Sequence, residues 1–373
     1  MKSKLLTVLA ILVGTLTYAQ EGIQFSKGSW AEIIELAQKE QKSIFMDCYT
    51  TWCGPCKKLS KKVFPVKEVG DYFNEKFISV KVDMEKGEGI QLKEDFSVSA
   101  FPTLLFFDSN GLETHRIVGF KSPERLIEEA KKSQSGKNYG YYKNKYAEGE
   151  RSIEFIYEYL KNLGSAGKLD EAGAVVEEFL KTIAPEDYYK IQYWSAIRAY
   201  INDGNSEVIK YIHNNPKVFN AIYGTRPVEL KLYRAFSATA KSFSTKEGDK
   251  TIVDFEQYEA YLNMLKEMQV KDIPKIKRTA DMQYALATKN WEVYLQAVND
   301  IIKENESKSR AISTLLWNYA MKINSVCDDM KVRKVASKWC QIAMDQKTIS
   351  EKSKENLRLL HEELLGPKKE KIK

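Results

Sequence analysis

Cys53 and Cys56, with Gly54 and Pro55 between them, are the residues whose type and spacing point most directly to chemistry. Two cysteines at this spacing close a small disulfide ring. Where a strand gives way to a helix, the first sulfur lies at the helix N-terminus, and the aligned peptide dipoles there stabilise a thiolate and lower its pKa. Such a thiolate attacks a partner disulfide to form a mixed disulfide, and the second cysteine resolves it. The chemistry assigns Cys53 as an exposed nucleophile and Cys56 as the resolving thiol. Zinc would need a second pair of ligands, and the sequence offers neither another Cys-x-x-Cys nor a histidine cluster, since His115, His213 and His361 are scattered. A purely structural bridge across two residues would add little stability and would be readily reduced. No metal or organic cofactor is implied, because cysteine sulfur carries the electrons itself.

Other residues fall where this chemistry needs them. Asp47 lies six residues before Cys53, inside the otherwise apolar run Ser43-Ile44-Phe45-Met46-Asp47-Cys48. A carboxyl buried there has a raised pKa and can shuttle a proton for Cys56. Phe101-Pro102-Thr103 precedes another apolar run. A cis proline there would set its loop against the sulfurs and leave the preceding backbone free to pair with an extended substrate. Val118-Gly119-Phe120 ends a hairpin, where glycine permits close approach of a partner chain.

Residues 22–133 supply a scaffold by alternating strand and helix patterns. Ser29 and Glu32 form a capping box opening a helix whose apolar face holds Trp30, Ile33, Ile34 and Ala37. Further helices are expected over about 55–73, kinked or broken at Pro65, over 90–96, and from the Ser122-Pro123 start onward. Strands are expected at 43–48, 77–83 and 103–107, the last turning at Asp108-Ser109-Asn110-Gly111 into a partner over 113–118. The order implies an α/β fold, a mixed sheet with helices on both faces. Residues 134–150 are polar, glycine-containing and tyrosine-rich, and read as a linker or the lead-in to a second domain. From 151 to 366 strand signals vanish and helix patterns come in pairs: 153–163 with 169–183, 193–201 with 206–213, 276–288 with 291–303, and 312–325 with 330–344. The first and last pairs loosely resemble tetratricopeptide repeats, through Leu160, Leu163 and Ala172 in one and Asn324, Cys327, Ala336 and Ala343 in the other. The pattern is that of an all-α, solenoid-like array of helical hairpins, which serves as a concave binding surface or as a passive scaffold.

With 43% hydrophobic and 29% charged residues, the chain has the composition of a globular protein, not of a disordered chain or a membrane bundle. The net charge of +7 is no nucleic-acid footprint: residues 20–133 carry 17 Lys and Arg against 18 Asp and Glu, and the tail at 367–373 supplies part of the remaining excess. Met1-Lys2-Ser3-Lys4, the apolar stretch 5–16 and Thr17-Tyr18-Ala19 read as a cleaved secretory signal over 1–19, too short for a spanning helix. An uncleaved anchor is the alternative. No second apolar run of membrane length occurs, so an exported chain without stable membrane insertion is expected, periplasmic if the source is a Gram-negative bacterium.

Residues 22–133 resemble the thioredoxin family. Trp52-Cys53-Gly54-Pro55-Cys56 matches that family's active-site motif. Asp47 falls on its buried aspartate, Lys81 on the lysine often found nearby, Phe101-Pro102-Thr103 on the cis-proline segment, and Gly119 on the late loop glycine. The stretches 47–58 and 103–108 look most like exported members, including the C-terminal domain of the periplasmic thiol–disulfide interchange protein. The resemblance implies a thioredoxin-like domain at 20–133, between the signal and the linker. It also implies a redox-active Cys53–Cys56 disulfide and a substrate-binding surface of Trp52, Gly54, Pro55, Phe101, Pro102 and Gly119. The implied partners are proteins carrying disulfides and an upstream electron-donor protein. Gly-Pro between the cysteines resembles the reducing members and favours a reductase or isomerase over an oxidase.

Some positions depart from the family pattern. Phe101 is bulkier than the residue usual before the cis proline, which implies a narrowed groove. Cys48 stands where the family has an apolar residue, as a small buried hydrophobe or a regulatory thiol. Cys327 and Cys340, on consecutive expected helices, form a second disulfide, two buried free thiols or a second redox centre. The competing reading of the whole chain is a non-enzymatic adaptor whose helical repeats hold a partner while the thioredoxin-like domain is a structural relic.

Overall fold

The apolar run at 43–48 is too short for a helix and carries aromatic and β-branched side chains that suit a pleated surface. In the computed structural model it forms the central strand of a five-stranded sheet. The structure describes residues 22–248, 250–305, 310–346 and 349–367, so the expected signal and nearly all of the basic tail lie outside the described residues. The chain divides into two units, one running to Thr182 and the other beginning at Ile183.

In the first unit, β1 (Phe25–Ser26), β2 (Ser43–Tyr49), β3 (Phe77–Asp83), β4 (Thr103–Phe107) and β5 (Glu113–Val118) lie in the order β1-β3-β2-β4-β5. β1 and β2 run parallel to β3, while β4 runs antiparallel to both β2 and β5, so the sheet is mixed. The helices between them are α1 (Trp30–Glu40), α2 (Gly54–Lys62), α3 (Lys67–Lys76), α4 (Gly89–Asp95) and α5 (Pro123–Gln134). The Ser29–Glu32 capping box is formed at the start of α1. The helix expected over 55–73 is two helices, because Pro65 has no N–H to continue the ladder and falls between them.

Period-two alternation sends β2 side chains into two cores. Ile44, Met46 and Cys48 pack with Ile33, Val80 and Leu105 on one face, and Phe45 packs with Leu59, Phe73 and Phe106 on the other. Asp47 shares the alternation of Phe45, so it points to the face covered by α2.

The stretch expected as a linker, 134–150, carries α6 (Tyr139–Ala147), and the first unit continues through α7 (Ile153–Ser165) and α8 (Leu169–Leu180). The tyrosines that made the stretch look unusual are packing groups: Tyr139 and Tyr142 are buried, and the Tyr139 N–H donates to His115 Nδ1 on β5 at 3.4 Å. Gly140 lies so close to β5 that an added Cβ would stand 3.3 Å from the Thr114 carbonyl oxygen. The first helical pair of the expected array therefore belongs with the sheet.

The second unit holds α9 (Ile191–Tyr200), α10 (Glu207–Asn214), α11 (Pro216–Tyr223) and α12 (Thr225–Ala240), followed by the antiparallel ribbon β6 (Ser244–Glu247) and β7 (Lys250–Val253). It ends with α13 (Phe255–Glu267), α14 (Ile273–Ala287), α15 (Trp291–Glu304), α16 (Arg310–Val326), α17 (Met330–Met344) and α18 (Glu351–Leu365). The ribbon corrects the all-α expectation. Its residues are mostly exposed and polar, so no apolar alternation marked it in the sequence. From α14 to α18 the helices share one core around Val298, Leu316, Ala336 and Leu364.

Phe45 is fully buried, and its ring lies 4.7 Å from that of Phe73 and 5.2 Å from that of Phe106. Phe45→Ala should cost the first unit about 3–5 kcal/mol, read as a lowered urea midpoint. A loss below about 1 kcal/mol would mean that this core does not hold the sheet.

Candidate active site

Register brings three loops to one end of the sheet. Cys48, near the end of β2, pairs with Thr103, the first residue of β4, and Thr103 pairs with Val118, the last residue of β5. The loop carrying Cys53, the loop ending at Pro102 and the turn at Gly119 therefore emerge side by side. The Gly119 N–H donates to the Pro102 carbonyl oxygen at 2.8 Å, and Gly119 has φ +85°, the left-handed region that favours glycine. The Phe101–Pro102 peptide is cis. Lys58 Nζ on α2 lies 4.1 Å over the Phe120 ring, which ties α2 to the same cluster.

Cys53 is the N-cap of α2, and Pro55 occupies its first turn, where a missing N–H costs nothing. Cys53 and Cys56 form a disulfide with S–S 1.98 Å and Cα–Cα 5.3 Å. The Cys56 N–H donates to Cys53 Sγ at 3.1 Å, so an orphan donor of the helix end faces the first sulfur.

The exposed nucleophile expected at Cys53 is not what the disulfide form presents: Cys53 and Cys56 are each 2% exposed. The first sulfur is occupied on one side by its partner and on another by the Cys56 N–H. Its surroundings are nonetheless surface, with Trp52 66% exposed and Gly54 and Pro55 exposed. A Cβ added at Gly54 or at Gly119 would meet no atom within 4 Å. The ring thus lies just beneath an open patch.

Trp52 is held at the edge of that patch. Its ring meets Phe101 edge-on at 6.1 Å, and its Nε1 donates to both carboxylate oxygens of Glu85, at 3.1 and 3.0 Å. The sequence reading missed Glu85, which lies just beyond β3, where no spacing rule connects it to Trp52. The structure brings Trp52 and Phe101 together, and Pro102 and Gly119 together, beside Gly54 and Pro55.

Asp47 is fully buried, and neither of its carboxylate oxygens has an aligned hydrogen bond among the described residues. Lys81, its register neighbour on β3, places Nζ 3.3 Å from Asp47 Oδ2 and donates a hydrogen bond to Ser60 Oγ at 2.5 Å. Burial pushes the Asp47 carboxyl up to about 6, and Lys81 pulls the other way without cancelling it. Ser60 stands four residues after Cys56 on α2, hence on the same helical face. The Lys81–Asp47 pair therefore meets the face of α2 that carries the second sulfur.

The remaining thiols stay out of this arrangement. Cys48 points into the opposite core, and burial pushes its pKa well above the ordinary thiol range. Cys327 and Cys340 are free and buried, which corrects the possible second disulfide. Cys327 precedes α17, whereas Cys340 lies ten residues into it, about 15 Å along its axis at 1.5 Å per residue. A disulfide needs Cα atoms within about 7 Å.

With this geometry in view, comparison with known proteins is decisive for family. Residues 30–134 match the thioredoxin-like domain family. A thioredoxin of Echinococcus granulosus is 38% identical over 88 residues, covering 24% of this chain and 76% of that protein.

The chain belongs to the thioredoxin family.

Thiol:disulfide interchange protein DsbD of Photorhabdus laumondii subsp. laumondii is 30% identical over 115 residues, covering 30% of this chain but 20% of that protein. The chain likewise spans 60% of chloroplastic Thioredoxin Y of Oryza sativa subsp. japonica, at 33% identity over 107 residues. Among solved structures, a candidate disulphide-isomerase from Bacteroides thetaiotaomicron is similar at 47% identity, covering 30% of this chain and 93% of that one, with a TM-score of 0.29.

In this thioredoxin-like domain Asp47 is a charge buried at a cost. A carboxyl raised from 3.8 to about 6 binds a proton more tightly folded than unfolded, so its penalty is absent below pH 4 and complete above pH 6. Asp47→Asn should therefore stabilise the domain at pH 8 by up to about 3 kcal/mol, with the gain vanishing as pH falls to about 4. Urea titrations at both pH values check this, and equal gains at the two would show that ionisation is not the cause.

Proposed function

We propose that this protein is an exported thiol–disulfide oxidoreductase, a reductase or isomerase acting on disulfides of protein substrates. Its Cys53 thiolate, favoured by the N-terminus of α2, attacks one sulfur of a substrate disulfide. A bond forms between Cys53 Sγ and that sulfur, and the other substrate sulfur leaves as a thiolate. Asp47 takes the proton of the Cys56 thiol, and the Cys56 sulfur then displaces the substrate from Cys53. Two electrons have passed to the substrate, the Cys53–Cys56 disulfide remains, and the proton held by Asp47 is available to the departing thiolate. An upstream dithiol protein returns the pair to its reduced state. In the isomerase branch, the thiolate released in the first step attacks another disulfide of the same substrate before Cys56 acts.

The observation that carries this reading is the Cys53–Cys56 disulfide at the tip of α2, on a helix whose inner face meets the Lys81–Asp47 pair. Trp52, Phe101, Pro102 and Gly119 form the surface on which an extended substrate lies. Phe101 makes no backbone–backbone hydrogen bond among the described residues, and its main chain is available to a substrate strand. Similarity to proteins named thioredoxin and thiol:disulfide interchange protein supports the same chemistry. The leader pattern at 1–19 and the interchange-protein relatives support a periplasmic or otherwise exported location. No helix among the described residues is long and apolar enough to cross a membrane.

Insulin reduction by dithiothreitol tests the assignment. The protein should accelerate it, and Cys53→Ser should abolish the acceleration. Cys56→Ala should instead accumulate mixed disulfides through Cys53, visible on non-reducing gels. Undiminished turnover in Cys53→Ser would remove the assignment. Equilibration with glutathione should place the potential below about −180 mV for a reductase or isomerase.

A further inference from the structure

The second unit contains a cavity of about 780 Å³ bordered by α12, α14, α15 and α16. Among the described residues, four cations line it, Lys241, Lys275, Arg278 and Lys322, against a single carboxylate, Glu304. Arg278 clasps Glu304 through two hydrogen bonds, at 2.6 and 2.8 Å, so that acid is already matched. Lys275 reaches Asp272 at 3.1 Å. Lys241 and Lys322 have no ion pair among the described residues. Positive charge is therefore left over, and it comes from separate elements: Lys241 follows α12 and Lys322 lies on α16. Apolar side chains such as Met282 and Leu315 line the same space. In its wall the hydroxyl of Tyr294, a residue 1% exposed, has no hydrogen-bond partner among the described residues.

We propose that this cavity is a docking site for an acidic segment of a partner polypeptide, one that presents carboxylates around an apolar side chain. A volume of this size falls within the range of about 300–1,000 Å³ typical of ligand pockets, and it holds several side chains rather than a lone ion. Complementary charge gives such a surface selectivity and a fast encounter, while the apolar wall rewards a segment that is not uniformly charged. A basic partner is disfavoured by the same unmatched lysines. The site is independent of the thiol chemistry and is read without turnover, so its failure would leave the oxidoreductase assignment intact.

The test is fluorescence anisotropy on the full chain with a labelled dodecapeptide of Glu and Asp around a central Leu-Phe pair. The same peptide with Lys at every acidic position, and inorganic phosphate as competitor, provide the contrasts. The acidic peptide should bind and the Lys peptide should not. Raising ionic strength from about 50 to 300 mM should weaken binding about tenfold or more. Lys241→Glu combined with Lys322→Glu should weaken it about tenfold or more. Lys217→Glu, exposed on α11 outside the cavity, should change it less than about twofold. Equal binding of both peptides, no binding of the acidic one, unchanged binding in the double variant, or full displacement by millimolar phosphate would each overturn the proposal.

Discussion

A carboxylate enclosed in a protein core must be paired, hydrogen-bonded or protonated, because the core cannot replace the water it has lost. Asp47 meets this constraint only in part. Lys81 stands 3.3 Å away and also donates to Ser60, but its charge does not offset the burial, so the carboxyl is left with a pKa of about 6. A pKa in that range suits the proton shuttle proposed for Asp47. The Lys81 ammonium is in turn cradled by Tyr49, Phe64 and Phe25, with ring centroids at 5.1, 5.2 and 5.5 Å. That ring of aromatics holds the cation close without neutralising it.

The sheet makes this placement possible. β2 is paired on both sides and buried on both faces, so whichever residue falls at position 47 is sealed from solvent. The same pairing fixes where β2 ends and hence where α2 begins. Moving the register by one residue would carry Asp47 into the other core, with Cys48 in its place. The disulfide at the helix tip and the acid beneath it are thus two consequences of one strand alignment.

Most of the site could be read from the sequence because its parts are local or periodic. The Cys-x-x-Cys spacing, the single acid in an apolar run, the proline before a strand and the glycine after one are all visible in a few residues. The capping box at Ser29 and the break at Pro65 are backbone rules of the same kind. What could not be read depends on distant contacts. Glu85 meets Trp52 across thirty-three residues, and Ser60 meets Lys81 across a helix–sheet interface. The run at 134–150 looked like a linker because tyrosine and glycine are common in loops, and its burial depends on β5 lying beside it. Cys327 and Cys340 looked pairable because they flank a turn, yet the rise of the second helix carries them apart. The strands at 244–247 and 250–253 have no buried side chain, so the signal by which strands are recognised was missing.

The two sulfurs are made unequal by what surrounds them. α2 has no acidic residue in its first turn, and Lys57, Lys58, Lys61 and Lys62 follow along it, so nothing opposes the field of the helix end at Cys53. Cys56 lies one turn inside, on the face that meets Asp47, where a second negative charge is disfavoured for as long as the carboxyl is ionised. In the mechanism proposed above, Cys53 is therefore the attacking sulfur and Cys56 the resolving one. In that mechanism the mixed disulfide removes the thiolate charge at Cys53, and the proposed transfer of the Cys56 proton to Asp47 makes ionising Cys56 less costly. The proposed order of attack and resolution rests on this asymmetry.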